Sequence, residues 1–274
     1  MTADPPPATP DDDVALPRSA ATVILLRDAD ALEVLMLRRH KRSGFAASAW
    51  VFPGGVVDPG DAAVGEDNWT GIQPASLADR FDLAAEQVLA MHVAAVRETF
   101  EEAGVLLAHH QDDAPVDVTD PAVVEFRHLL NDRQTKANWP AFLTAQKLVL
   151  DLGGVTCLSR WITPVAEPRR YDTYFFVAKL PDGAQPAADL VETTEARWIT
   201  PADALDDDDF MMIFPTVRTM ELLRDFATTD EVISHAGSVT DLAPTQPHVV
   251  LDDDGNLAEI LAPGDEGYPD ELYP

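Results

Sequence analysis

The segment from Arg97 to Val105, R-E-T-F-E-E-A-G-V, constrains this chain more than any other. Glu98, Glu101 and Glu102 stand at i, i+3 and i+4, so on a helix their side chains gather on one patch. Arg97, four residues before Glu101, is spaced to pair with it. Like charges at this spacing cost a helix roughly a few tenths of a kcal/mol per pair, which asks for a positive partner over the patch. An all-oxygen donor set suits a hard divalent cation, Mg²⁺ or Mn²⁺. Leu89, Val93, Val96 and Phe100 recur at four-, three- and four-residue steps, an apolar stripe. The spacing predicts a helix over 83–103 that is anchored by this stripe, presents its acids outward, and stops at Gly104 in a left-handed turn. Alone, an E-x-x-E-E run also fits a solvated acidic face; the glycines upstream at Gly54 and Gly55 favour the metal.

The rest of the chain alternates strand and helix patterns. Residues 1–18 are rich in Pro and Asp and predict a disordered acidic leader. Strands are predicted over 20–26, 32–39 and 50–52. A loop with a short helix near 74–81 precedes the acidic helix, and a further strand is expected over 105–108. Apolar residues at helical spacing predict helices over 122–134 and 140–150, broken by Gly153 and Gly154. Strands over 158–163, 171–180 and 196–200 follow, then helices opened by Pro201 and Pro215, then a hairpin over 249–261 around Asp254-Gly255. The order implies an α/β fold, an α/β/α sandwich on a mixed sheet. The organisation expected is a leader (1–18), one main domain (19–227) with an insertion near 59–85 and a helical segment near 119–152, and a C-terminal extension (228–274).

Phe52-Pro53-Gly54-Gly55, followed downstream by R-E-T-F-E-E-A-G-V, resembles the signature of the Nudix hydrolases. The second half matches at every fixed position, with Thr99 where an apolar residue is usual. The first half departs: the glutamate expected six residues after Gly55 is Asp61, and 35 residues separate it from Arg97 where the family has seven. An insertion at this place is similar to the branch holding the peroxisomal coenzyme A diphosphatases and their bacterial relatives. Arg160-Trp161-Ile162-Thr163-Pro164, the aromatic run from Arg169 to Phe176, and Pro263-Gly264-Asp265 are similar to that branch as well.

The resemblance implies a Nudix-type α/β/α sandwich and a hydrolase that splits a diphosphate linkage in a nucleoside diphosphate derivative. By it, Glu98, Glu101 and Glu102 hold Mg²⁺ or Mn²⁺, one of them doubling as general base, and Arg97 orients them. A carbonyl near Gly55 and a distant loop acid, Glu192 rather than Glu195, complete the ligand set. Arg38, Arg39 and Arg42, just before the glycines, and Arg169-Arg170, before the aromatic strand, are the candidates for substrate phosphates. Coenzyme A or acyl-CoA is the first substrate implied, although Leu35-Met36-Leu37-Arg38-Arg39 only partly echoes a coenzyme A motif of related enzymes. ADP-ribose, NADH and dinucleoside polyphosphates are the alternatives, as is a silent ligand-binding or regulatory module of the same fold. An isopentenyl diphosphate-type isomerase is disfavoured, because that chemistry leans on a cysteine and Cys157 is wrongly placed.

A formal net charge of −29 argues against nucleic acid and against an anionic membrane surface as partners. It also makes a metal bridge more necessary for a small-molecule diphosphate substrate. The 274 residues suffice for one sizeable core, and a homodimer is compatible with everything above. Cys157 is the single cysteine, in an apolar run that predicts burial. The N-terminus lacks the apolar core of a secretion signal and no apolar stretch is long enough to span a bilayer, so a cytoplasmic enzyme is expected. His92 is predicted to pack rather than react, and the aspartates at 206–209 and 252–254 to be solvated turns.

Overall fold

The computed structural model describes residues 15–41, 46–132, 134–165, 167–252, 254 and 256–269. Most of the leader, together with Arg42 and Gly255, lies outside the described residues. The strands β1 (Arg18–Asp28) and β2 (Leu32–Arg39) form a hairpin, and β3 (Trp50–Val51) and β4 (Gly54–Val56) add short pieces to it. Next come β5 (Trp69–Thr70), α1 (Pro74–Phe81) and the long α2 (Ala85–Ala103). They are followed by β6 (Ala108–His110), α3 (Pro121–Asn131), α4 (Trp139–Gln146) and β7 (Leu148–Asp151). The strands β8 (Val155–Ile162), β9 (Tyr171–Lys179) and β10 (Thr193–Ile199) complete the main sheet. The chain continues through α5 (Pro201–Asp206), α6 (Phe214–Leu223), α7 (Thr229–Ser238) and a hairpin of β11 (His248–Leu251) and β12 (Leu257–Leu261).

The main sheet has the order β10-β2-β1-β9-β8, with β3 on β2 and β4 on β1. Only β1 and β9 run parallel; the other pairs are antiparallel. Both faces are covered. Ala21, Val23, Leu25, Tyr174 and Phe176 share one core with Val93, Val96 and Phe100 of α2. Ile24, Leu26, Phe175 and Val177 share the other with Met220 and Leu223 of α6 and Val232 of α7. A strand buried on both sides reads as a continuous apolar run, which is why 20–26 stood out without alternation. The result is the expected α/β/α sandwich. Among the described residues no helix is long and apolar enough to cross a membrane.

Several boundaries move. The helix expected over 140–150 ends at Gln146, where Lys147 takes a left-handed conformation (φ 53°), and Leu148–Asp151 is a strand. Its short apolar run suits a buried strand as well as a helix. That strand pairs with β5 and β6 in a small second sheet, so ladder pairing begins at Ala108 rather than 105. The region 228–274, expected to be an extension with a hairpin, also holds the helix α7, with a Thr228–Glu231 capping box at its start. The helix docks on the main sheet, and Thr229 donates twice to Asp28, at 2.8 Å each.

The amphipathic picture of α2 also changes. Val88 and all residues from Ala90 to Phe100 are buried, because α1, α3 and the small sheet close over the side opposite the main sheet. Leu89, one of the stripe residues, is only half-buried. His92 is packed as expected: it bonds the Val88 carbonyl at 2.7 Å, and burial pushes its imidazole down to about 4. Cys157 is buried, and that burial pushes its thiol up to about 12.

Candidate active site

The last turn of α2 forms the floor of a cavity of about 1660 Å³. The acids do not face bulk solvent as expected. Glu98 and Glu102 retain 8% and 6% exposure, and Glu101 is half-buried. Gly104, at φ 69°, ends the helix with the predicted left-handed stop.

Two glycines let the strand β4 approach these acids. The Gly54 amide donates to Glu102 Oε2 at 3.0 Å. A methyl group at Gly55 would lie 2.6 Å from the Glu98 carboxylate, so only glycine leaves room for it.

Arg97 is held differently from the simple i,i+4 pair. Its Nε and Nη2 donate to the two oxygens of Asp61 at 2.8 and 2.9 Å, a bidentate pair. Nη2 also donates to the Val56 carbonyl at 3.0 Å, and Nη1 to Glu98 Oε1 at 2.7 Å. The predicted Glu101 contact is the longest, at 3.5 Å. Asp61 is fully buried and takes a further bond from the Asp58 amide at 2.8 Å. The shorter acid in the first half of the signature thus anchors the arginine that orients Glu98. Burial alone would lower the Arg97 pKa, but the Asp61 hydrogen bonds and the Glu98 charge hold it above the usual value.

Burial, then mutual repulsion, pushes the carboxyls up: Glu101 to about 8, Glu102 well above the usual carboxylate range. Glu98 rises chiefly through burial, against the opposing charge of Arg97. Among the described residues no three acid, histidine or cysteine side chains are already gathered around one point. Glu98 commits one oxygen to Arg97, and Glu102 commits one to the Gly54 amide. Among the described residues their second oxygens accept no hydrogen bond. Oxygen donors that repel one another in an enclosed floor fit a hard divalent cation.

The remaining candidates divide. Glu192 lines the cavity and Glu195 does not; Glu195 lies 3.8 Å from Arg38 on the half-exposed side of β10. The Glu192 loop is set by Asp189, whose Oδ1 accepts from the amides of Val191, Glu192 and Thr193 at 2.6, 2.9 and 3.0 Å. Arg39 reaches the cavity, and its buried Nε has no hydrogen-bond partner among the described residues. Arg38 instead lies over the Trp50 ring, 5.8 Å from its centroid, outside the cavity lining. Arg170 is turned inward with 2% exposure, donating to Thr163 O at 3.0 Å and Ala15 O at 3.2 Å, while its neighbour Arg169 lines the cavity.

Two supporting residues carried no sequence signal. Asp189 sits in an irregular loop. Arg127, from α3, donates to the carbonyls of Phe100, Glu101, Glu102 and Ala187 at 2.9, 3.0, 3.0 and 2.8 Å. It satisfies the open carbonyls of the α2 C-terminus and ties them to the segment leading to Glu192.

Comparison with known proteins points the same way. The family described as the NUDT19 Nudix domain matches residues 75–214. Putative nudix hydrolase 7 of Caenorhabditis elegans is 30% identical, over 93% of this chain and 75% of that protein. Acyl-coenzyme A diphosphatase NUDT19 is 29% identical in Xenopus laevis (87% of this chain, 72% of that protein) and 26% in Homo sapiens (88% and 73%). The crystal structure of a Nudix hydrolase from Alicyclobacillus acidocaldarius superposes with a TM-score of 0.68 at 25% identity, covering 83% of this chain and 98% of that one.

Proposed function

The chain belongs to the Nudix hydrolases, in the group with the NUDT19 Nudix domain, and from that premise we propose that it hydrolyses the diphosphate linkage of coenzyme A or an acyl-CoA. The observation that carries the chemistry is the floor of three glutamates, braced by Arg97, Asp61 and the Gly54 amide. Two relatives bearing the name acyl-coenzyme A diphosphatase support the substrate. The cation is proposed to be Mg²⁺ or Mn²⁺, held by Glu98, Glu101, Glu102 and Glu192 with a backbone carbonyl at Gly55. When bound, such an ion offsets charge on the phosphate oxygens and makes a water more acidic.

The chain supplies the remainder. Arg97 fixes the rotamer of Glu98 and, through Asp61, is itself fixed against the loop that follows β4. The Gly54 amide fixes Glu102. Glu101 has the least protein bonding of the three, which suits it to take the proton of the attacking water. Arg39, whose Nε has no partner among the described residues, is assigned the role of receiving the diphosphate. Arg38 and Arg170 are given no substrate role. The lone buried Cys157 suits a reducing compartment, and we assign the enzyme to the cytoplasm.

A substrate panel tests the proposal. Coenzyme A, an acyl-CoA, ADP-ribose, NADH and diadenosine tetraphosphate are incubated with Mg²⁺ or Mn²⁺, with Glu102→Gln as the comparison. The expected result is release of 4′-phosphopantetheine or its acyl form at the highest kcat/KM of the panel, with kcat at least about 10²-fold lower in Glu102→Gln. Cleavage of ADP-ribose or NADH with coenzyme A left intact removes the substrate assignment. Full activity in EDTA removes the metal.

A further inference from the structure

With 19 Lys and Arg against 48 Asp and Glu, cations are few in this chain, and where several of them gather is informative. Away from the cavity, Arg27, Arg38, Arg160 and Arg218 pair with carboxylates, while Arg80 and Arg127 are committed to backbone carbonyls. Arg18, Arg39, Lys136 and Arg169 line the cavity, and none forms an ion pair among the described residues. Arg39 is accounted for by the scissile diphosphate. Arg39 ends β2, whereas Arg18 opens β1 and Arg169 stands just before β9.

The backbone that carries Arg18 and Arg169 is built rather than loose. Arg170, between Arg169 and Tyr171, is the buried strut: its carbonyl accepts the Arg18 amide at 2.9 Å. Its guanidinium donates inward to Thr163 O, Ala15 O and Gln246 Oε1 at 3.0, 3.2 and 3.4 Å. Arg18 then pairs with Tyr171 across the parallel β1–β9 ladder, and Tyr171 also lines the cavity. Two exposed guanidinium groups are therefore presented from a backbone that a third arginine fixes. The cavity is also larger than a diphosphate needs, leaving room for a substrate that extends to these two groups.

We propose that Arg18 and Arg169 form a second anion subsite, which takes a phosphate monoester borne by the substrate away from the bond being cleaved. Naming that group as the 3′-phosphate of coenzyme A rests on the function proposed above; the subsite itself does not. Paired guanidinium groups suit this ligand because they offer several fixed donors to its oxygens.

Binding and turnover separate the two ideas. Calorimetry compares adenosine 3′,5′-bisphosphate with AMP on the wild type, on Arg18→Gln/Arg169→Gln, and on Arg224→Gln, which removes an exposed charge elsewhere. The wild type and Arg224→Gln are expected to prefer the bisphosphate by about tenfold or more, and the double variant to bring the two ligands within about twofold. The kcat/KM ratio for coenzyme A over dephospho-coenzyme A should collapse in parallel. A wild type indifferent to the extra phosphate, or a double variant that keeps the preference, overturns the subsite. A preserved binding preference with no coenzyme A turnover overturns the substrate assignment and leaves the subsite standing.

Discussion

Gly54 and Gly55 are neighbours with the same side chain, yet the space around them assigns different consequences to an added methyl. At Gly54 the methyl would meet backbone: Ala21 O at 2.6 Å and the Thr22 Cα at 2.7 Å. At Gly55 the three atoms nearest to it all belong to the Glu98 carboxylate, at 2.6–2.7 Å. Neither residue has a positive φ, so alanine is conformationally allowed at both. Gly54→Ala is therefore expected to cost about 1–3 kcal/mol of stability through overpacking. Gly55→Ala should unfold close to the wild type in urea while binding Mn²⁺, followed by its EPR signal, at least about tenfold more weakly. Wild-type Mn²⁺ affinity in Gly55→Ala would place the cation elsewhere. The pair Gly-Gly was legible in the sequence because the acids downstream gave it a purpose. The brace by Asp61 was less so: 35 residues part it from Arg97, and no local spacing rule reaches that far.

At the level of elements, α2 was legible because its acid spacing and its stop are local properties. How it is held was not. Its C-terminal carbonyls are satisfied by Arg127 and by Asn131, whose Nδ2 donates to Glu101 O at 3.1 Å, both from α3. The sequence signals a helix over 122–134 but not which backbone its side chains serve. The same limit explains 148–151, where a run of three apolar residues became a strand only through partners at 69–70 and 108–110. Charge-assisted bonds of the Arg127 kind contribute about 1.5–3 kcal/mol. Arg127→Met is expected to lower the unfolding free energy by about 2–4 kcal/mol, read from urea denaturation. Arg127→Lys should recover less than half of this, since one ammonium cannot reproduce a planar fork that spans four carbonyls. Because the same guanidinium joins Glu101 and Glu102 to the Ala187 segment, Mn²⁺ affinity should fall in both variants. Lysine restoring full stability and full affinity would show that only the charge at the helix end matters.

For the whole molecule, the sandwich was legible because its central strands are apolar on both faces and its helices are punctuated by Pro and Gly. The docking of α7 was not, since what fastens it, Thr229 on Asp28, joins residues about 200 positions apart in the chain. Net charge was legible from the start, and it sets the last expectation. A field from −29 charges repels an anionic substrate at long range, whereas the arginines of the cavity act only at short range. Added salt screens distant charges first, with a Debye length of about 10 Å at 0.1 M. At fixed free Mg²⁺, raising KCl from about 20 to about 300 mM should therefore increase kcat/KM for a diphosphate substrate, by roughly threefold, with little change in kcat. The opposite trend, a steady fall with salt, would mean that the local cations govern capture from the first encounter, and that the acidic surface has no part in how substrate arrives.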